Sequence, residues 1–176
     1  TEVLKEFTQE TGIKVNYTTY DSNETLYAKL KANPHTGYDV IVPSTYFVDR
    51  MRRQGMLQAL DKSRLSNFKN LNPALLNKPY DPGNHYSIPY FWTTTGIVVN
   101  TRVHAPNQFQ HWADFWNPSH RNQLLLLDDV HEVFSMALLV LGYSPNDTEP
   151  EHIRRAYLKL KQLMPNIRLF NNDGVK

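Results

Sequence analysis

Residues 38–46 read YDVIVPSTY, and this stretch decides the predicted fold. Its apolar and β-branched start, residues 38–42, is typical of a strand that is buried on both faces, as the strands of parallel sheets are. A proline ends the run, and Ser44, Thr45 and Tyr46 follow it. Ligands bind outside the carboxyl ends of strands in open α/β sheets, so these hydroxyl side chains predict a ligand rim. An alternative role for Ser44 or Thr45 is to cap the next helix.

Composition excludes several classes of protein. The chain has 176 residues, of which 40% are hydrophobic and 20% charged, so it can form a packed core. A net charge of +2 argues against a nucleic-acid partner. The absence of cysteine excludes disulfide scaffolds and thiolate metal sites. No apolar run approaches the roughly 20 residues of a membrane helix, so we expect a chain that does not itself span a membrane.

Helix and strand patterns alternate along the chain, which predicts an α/β fold with a parallel sheet and right-handed crossovers. The predicted helices are one that ends at Gly12, one over about 22–32 that begins with a capping box of Asp21 and Glu24, and others over 45–53, 112–116, 130–141 and from Asp147 or Thr148 to Pro165. The predicted strands are 13–17, 38–42, 87–90, 95–100, 124–127 and 167–170. A long extended segment near 93–97 indicates a domain boundary. We place the boundary after residue 95, which gives domains of residues 1–95 and 96–176.

Two carboxylates, like the hydroxyl residues, come after a predicted strand. Asp129 and Glu132 follow the predicted strand 124–127 and lie three residues apart, on one side of the first turn of the next helix. Such a pair could hold an ammonium group or act as an acid and a base. The same spacing also fits a capping box, and the helix dipole favours carboxylates there without any function. The spacing alone leaves these roles open.

Aromatic and histidine residues give weaker signals. Residues 90–92 (YFW) are typical of packing in a core or between domains, although a cationic ligand also favours aromatic faces. Trp112 and Trp116 lie four apart on a predicted helix, which indicates core packing. The seven histidines show no metal-ligand spacing, and the chain has no glycine-rich phosphate loop. We therefore expect no metal and no cofactor.

Seven segments together carry a resemblance to a known family. They occur in order along nearly the whole chain: FTQETGIKV at 7–15, SNET at 22–25, YDVIVPSTY at 38–46, NKPYDP at 77–82, YSIPY at 86–90, WAD at 112–114 and DDVHEVF at 128–134. On these segments the chain resembles the periplasmic spermidine/putrescine-binding proteins that serve bacterial ABC transporters.

The resemblance implies a periplasmic-binding-protein-like fold, in which two α/β lobes with mainly parallel sheets are joined by crossing strands. Residues 1–95 would then be part of the first lobe and 96–176 part of the second. The residues that contact the ligand in this family correspond to Ser44, Tyr46, Asp129 and Glu132 of this chain. None of them is expected to be catalytic. The implied partners are a small polyamine and an inner-membrane ABC permease, and the implied location is the periplasm.

The resemblance also implies that the chain is a fragment without the family's first strand and its C-terminal half. Helical spacing already at Val3 and Leu4, and a turn at 171–174, indicate the same. We therefore expect the chain alone to bind polyamine weakly. Two other functions stay open: the same fold with a different small solute, or a hydrolase that uses Asp129 and Glu132. The hydrolase is disfavoured because both groups would approach a substrate from the same side.

Overall fold

The computed structural model describes residues 2–33 and 37–172, and the chain divides into two compact units, Thr1–Tyr90 and Phe91–Lys176. Each unit has its own hydrophobic core. The division falls between residues 90 and 91, whereas the sequence pattern places a domain boundary between 95 and 96. The assignment of 1–95 and 96–176 to two lobes stays a prediction, and the predicted turn at 171–174 extends beyond the described residues.

The regular elements are mostly helical. The α-helices are α1 (Glu2–Thr11), α2 (Asn23–Ala32), α3 (Thr45–Arg53), α4 (Val130–Val140) and α5 (Pro150–Leu163), and the strands are β1 (Leu124–Leu126) and β2 (Ile167–Phe170). Short 3₁₀ helices occupy Lys62–Arg64, Ser66–Asn70, Pro73–Leu75, Pro82–Asn84, Pro106–Gln108, Trp112–Trp116, Pro118–His120 and Met164–Asn166. In the described ranges, no helix is both long and apolar enough to cross a membrane.

The first helix ends as predicted. Gly12 has a φ of 71°, in the left-handed region where a residue without a Cβ is favoured, and its N–H donates to the carbonyl of Thr8 at 2.9 Å. The bounds of α3 also match the prediction. These helices were predictable because their ends depend on residues close in sequence.

The predicted cap of α2 is wrong. Asp21 does not begin this helix; instead the side chain of Ser22 accepts the backbone N–H of Thr25 at 3.2 Å. Ser22 has the extended φ and ψ of an N-cap, −147° and 157°, and it directly precedes the first helical residue. Asp21 lies one residue too early to reach the free N–H groups of the first turn.

The first unit has a small core between α2 and α3. Tyr27, Phe47 and Met51 are buried there, and Met51 is completely inaccessible. The guanidinium of Arg50 lies 4.2 Å from the centroid of the Tyr27 ring, and the carboxylate of Asp49 pairs with the next two arginines of the helix. The arginines of α3 thus cover a helix surface, as their pattern predicts.

Several predicted strands do not form regular strands in the described part of the chain. Residues 13–17, 38–42, 87–90 and 95–100 have no strand assignment, and Val40 and Val98 are 79% and 96% exposed instead of buried. A strand needs backbone hydrogen bonds to a neighbouring segment, and local sequence cannot supply that neighbour.

Residues 18–20, directly after the predicted strand 13–17, nevertheless run beside residues 38–42 in the same direction. The hydroxyl of Thr18 lies 3.3 Å from that of Tyr38, and the hydroxyl of Tyr20 donates to the carbonyl of Val42. Residue numbers rise along both segments from one contact to the next, so the direction is parallel, as predicted. Side chains, not a backbone ladder, join the segments at these contacts.

The second unit contains a parallel pair of strands, β1 and β2. Leu124 and Leu126 are each 6% exposed, but Leu125 between them is 47% exposed. The predicted α/β class with parallel strands is therefore confirmed, and the burial of β1 differs between its two faces. One face packs on the core and the other does not.

Helices α4 and α5 form the rest of the second core. Met136 and Leu138 of α4 belong to the same cluster as Leu160 and Leu163 of α5, and all four are buried. Each fully buried side chain of this kind stabilises the fold by about 2 kcal/mol. The helix α5 begins at Pro150, later than predicted, because the N-cap position falls at Glu149.

The prediction for the two tryptophans is confirmed, whereas the aromatic run at residues 90–92 lies outside both hydrophobic cores. Trp112 and Trp116 pack against the core of the second unit, and the indole N–H of Trp116 donates to the carbonyl of Lys159 at 2.8 Å. Tyr90, Phe91 and Trp92, by contrast, are 79%, 72% and 70% exposed. These three rings do not pack in a core of the described structure.

Candidate ligand-binding site

The hydroxyl residues predicted as a ligand rim lie at the start of α3. Ser44 precedes the helix in an extended conformation, Thr45 is its first residue, and Tyr46 is half-buried. The side chain of Ser44 makes no capping hydrogen bond to the helix. The alternative that Ser44 only caps α3 is therefore wrong, and its hydroxyl has a different partner.

That partner is Asn23, the first residue of α2. Its Nδ2 donates to Ser44 Oγ at 3.0 Å and to Tyr46 Oη at 3.2 Å, and its Oδ1 accepts the backbone N–H of Ser44 at 2.9 Å. Ser44, Tyr46 and Asn23 are called the hydroxyl patch below. Asn23 lies in the SNET segment at 22–25, but the sequence did not indicate it as a site residue, because its partners lie about 20 residues away.

The ring of Tyr46 is held by the core while its hydroxyl stays at the patch. The ring packs against the cluster of Tyr27, Phe47 and Met51, and its centroid lies 5.1 Å from that of Phe47 at an interplanar angle of 57°. Aromatic packing of this kind is worth about 1 kcal/mol beyond the buried area. The core thus fixes one end of the side chain and Asn23 contacts the other.

A lysine contacts the segment that leads into the hydroxyl patch. Lys29 Nζ donates a hydrogen bond to the hydroxyl of Tyr38 and lies 4.9 Å from the centroid of that ring. The bond from Lys29, together with a second one from Thr18, lowers the pKa of Tyr38 below its usual value. The ammonium group of Lys29 therefore contacts both the hydroxyl and the ring of Tyr38.

The predicted acidic pair lies at the N-terminus of α4. Asp129 is the N-cap residue, and its carboxylate accepts the backbone N–H of Glu132 at 3.1 Å. Both residues are half-buried, whereas Asp128 before them is exposed. The capping role that the sequence suggested for Asp129 is therefore confirmed. A carboxylate has about four acceptor positions, and the cap uses one of them.

Residues that follow β2 form hydrogen bonds to the backbone just before the acidic pair. After the strand ends, the N–H of Asn171 donates to the carbonyl of Leu126, and Nδ2 of Asn172 donates to the carbonyl of Asp128, each at 2.9 Å. These bonds cross from the end of β2 to the end of β1. The sequence did not predict the contacts of these two asparagines, because their partners lie about 45 residues away.

The structure therefore brings each predicted pair together within its own unit: Ser44 with Tyr46, and Asp129 with Glu132. Carboxylates accept ammonium donors as charge-assisted hydrogen bonds, and hydroxyl oxygens accept them as well. Within residues 2–33 and 37–172, no three histidine, aspartate or glutamate residues converge as metal ligands. His35 lies outside the described residues. The chemistry of the hydroxyl patch and of the acidic pair suits a cationic ligand that has several N–H donors.

Comparison with known proteins identifies relatives along the whole chain. The model of the family described as bacterial extracellular solute-binding protein matches residues 2–175. A spermidine/putrescine-binding periplasmic protein of Salmonella typhimurium is 57% identical over 172 residues, which cover 98% of this chain and 49% of the relative. The protein of the same description in Escherichia coli K12 gives the same identity and coverage. The chain thus spans about half the length of these curated relatives.

A solved structure agrees in backbone as well as sequence. It is described as a spermidine/putrescine ABC transporter from Listeria monocytogenes, and it matches with a TM-score of 0.91 and 38% identity. The match covers 99% of this chain and 54% of the other. The predicted periplasmic-binding-protein-like fold is confirmed by this likeness.

Proposed function

The chain belongs to the bacterial extracellular solute-binding proteins, and from this membership we propose that it captures a polyamine, spermidine or putrescine, for an ABC importer. The observation that carries the proposal is the 57% identity over 98% of the chain to proteins that are described as spermidine/putrescine-binding. Polyamine binding needs acceptors for ammonium groups, and both patches offer them.

The acidic pair supplies the charge for this ligand. Asp129 and Glu132 sit on one turn of α4 and can pair with an ammonium group through charge-assisted hydrogen bonds. In bulk water such a pair contributes about 1 kcal/mol or less, so removal of water from the site is what makes it strong. Closure of two lobes around a ligand is a common way to remove that water.

The hydroxyl patch supplies neutral acceptors and an aromatic ring. Ser44 Oγ and Tyr46 Oη can each accept an N–H from a ligand, and the Tyr46 ring can lie against a methylene stem. Ser44 and Tyr46 would then supply acceptors for a polyamine from the first unit, and Asp129 and Glu132 would supply them from the second. The partner that receives the ligand would be an inner-membrane ABC permease, with the protein located in the periplasm.

No bond is made or broken in this function, so the protein would not be an enzyme. The hydrolase alternative would use Asp129 and Glu132 as acid and base. Against it stands their three-residue spacing at the N-terminus of α4, from which both carboxyls would approach a substrate from the same side. A different small solute on the same fold is the second alternative, since a fold does not determine its ligand.

Titration calorimetry of the intact protein with spermidine, putrescine and 1,4-butanediol tests the proposal. The diol has the carbon chain of putrescine without its charges, so it is a matched control. We expect saturable heat with the two amines at micromolar concentration and none with the diol. The absence of saturable heat with either amine would contradict the proposal.

A competition panel separates the alternatives. Amino acids, sugars and other amines at millimolar concentration should not displace a bound polyamine if the proposal holds. Displacement by one of these solutes at lower concentration than putrescine would favour the second alternative. Release of a chemically altered amine, detected by mass spectrometry, would favour the hydrolase.

A further inference from the structure

One side chain connects both hydroxyl groups of the proposed polyamine site. The amide of Asn23 makes three hydrogen bonds: to Ser44 N at 2.9 Å, to Ser44 Oγ at 3.0 Å and to Tyr46 Oη at 3.2 Å. Asn23 lies at the start of α2, and its partners precede and begin α3. The side chain therefore links the starts of two helices through the residues expected to contact the ligand.

The orientation of this amide is set by its partners. The backbone nitrogen of Ser44 can only donate, so the carbonyl oxygen of Asn23 must face it. The NH₂ group then faces the two hydroxyl oxygens and donates to both. Each hydroxyl oxygen has two acceptor positions, and the bond from Asn23 uses one of them. Hydroxyl oxygens are acceptors that suit a ligand with N–H donors.

We propose that Asn23 is a positioning residue of the binding site, which holds the Ser44 and Tyr46 hydroxyls at a fixed spacing so that they can accept the N–H groups of a polyamine. The inference rests on the proposed function and names a residue that acts through two others. Asn23 itself need not touch the ligand. Loosely held polar groups lose affinity, because binding must then order them.

A purely structural role in helix capping does not account for these bonds. Ser22 is the N-cap of α2, and its hydroxyl accepts the N–H of Thr25. The Asn23 side chain is directed instead to residues 44 and 46, about 20 positions further along the chain. The two neighbours thus provide a matched pair of variants, since one change weakens the helix end and the other weakens the hydroxyl patch.

The first experiment compares Asn23→Ala with Ser22→Ala in the intact protein by calorimetry with spermidine and putrescine. We expect Asn23→Ala to weaken affinity about tenfold, the equivalent of one or two hydrogen bonds. Ser22→Ala should lower the melting temperature but leave affinity within about twofold. Equal affinity of Asn23→Ala and the unchanged protein would overturn the proposal.

Two further variants test whether Asn23 acts through the hydroxyls. In a Tyr46→Phe, Ser44→Ala background, Asn23→Ala should change affinity by less than about threefold, because the groups it positions are gone. The same tenfold loss in both backgrounds would contradict the proposal. Asn23→Asp keeps an acceptor for Ser44 N and can accept both hydroxyl hydrogens, so it should restore affinity to within about threefold. A loss as deep as that of alanine would also contradict it.

A measurement without ligand separates this inference from the proposed function. Hydrogen exchange of the Ser44 amide should be about tenfold faster in Asn23→Ala, since its acceptor is removed. Unchanged exchange would overturn the positioning role, whatever the ligand. If the unchanged protein binds no polyamine, the proposed function fails; if it binds polyamine and Asn23→Ala binds equally well, the positioning role alone fails.

Discussion

Asp129 accepts the backbone N–H of Glu132 at 3.1 Å, so one acidic residue of the proposed site supports the turn that carries the other. Helix stability and the proposed ligand binding would therefore share a side chain. The N-cap satisfies a backbone donor that would otherwise have no partner in the helix. Substitutions at this position must be chosen to separate the two roles, and the chain allows that separation.

Asp129→Asn should keep the cap and remove the charge. Asparagine is as good an N-cap as aspartate, so we expect a change of less than about 0.5 kcal/mol in the free energy of unfolding. Polyamine affinity should fall about tenfold or more, because the charge-assisted hydrogen bond to an ammonium group is lost. Urea denaturation and calorimetry on the same sample measure both quantities.

Asp129→Ala serves as the comparison, since it removes both roles. It should cost about 1 kcal/mol of stability in addition to the loss of affinity. If Asp129→Asn retained full polyamine affinity, the carboxylate would be a cap only and the proposed site would lose one of its charges.

Ser22 and Asp21 give a test of which residue caps α2. Ser22→Ala should reduce the free energy of unfolding by about 1 kcal/mol, because the Thr25 N–H loses its acceptor. Asp21→Ala should change it by less than about 0.5 kcal/mol, as expected for an exposed residue outside the cap. Urea denaturation of the two variants measures the difference, and the reverse order of stabilities would show that Asp21 is the cap after all.

Asp81 should be critical for the loop that follows it. It is 1% exposed, and its carboxylate accepts the N–H groups of His85, Tyr86 and Ser87 and the hydroxyl of Ser87 at 2.7–3.2 Å. Asp81→Ala leaves these donors without an acceptor, so we expect a loss of about 3 kcal/mol in the free energy of unfolding. Urea denaturation measures it, and amide exchange of Ser87 should accelerate.

An exposed aspartate provides the control for Asp81. Asp61 also accepts bonds from a nearby serine, Ser63, but it lies at the surface, where water replaces a lost partner. Asp61→Ala should therefore cost about 1 kcal/mol or less. Equal losses for the two variants would mean that burial is not what makes Asp81 important.

The stability of the second unit should depend on pH through Asp114. Backbone N–H groups of His111 and then Gln110 donate to its carboxylate and lower its pKa below the usual 3.8. Because the folded pKa lies below the unfolded one, the stabilisation is complete above the unfolded pKa and is lost as pH falls through the folded pKa. Asp114→Asn should thus be less stable than the unchanged protein at pH 7, with the difference disappearing in the acid range.

Urea midpoints at pH 7, 5, 4 and 3 measure this convergence. The exposed Asp21, substituted by asparagine, serves as a control for the effect of removing a surface carboxylate. A difference between Asp114→Asn and the unchanged protein that stays constant down to pH 3 would contradict the assignment of the stabilisation to the ionised carboxylate.

Local signals in the sequence predicted the helices well. Gly12 ends α1, α3 has the predicted bounds, and α4 begins directly after Asp129. Each of these features depends on groups within four residues, such as a cap or a left-handed glycine. Strands were predicted less well, because a strand such as 38–42 exists only where another segment supplies hydrogen bonds.

The sequence by itself determined the α/β class, the end of α1, the bounds of α3 and the family, and it identified Ser44, Tyr46, Asp129 and Glu132 as candidate ligand contacts. Only the tertiary structure decided that Asn23 joins the two hydroxyls, and that Asn171 and Asn172 bond to the backbone at the end of β1. The physical reason is range. A periodic pattern or a nearby cap is encoded within one turn of chain, whereas the bonds of Asn23 join residues 21 and 23 positions apart and depend on how α2 and α3 pack together.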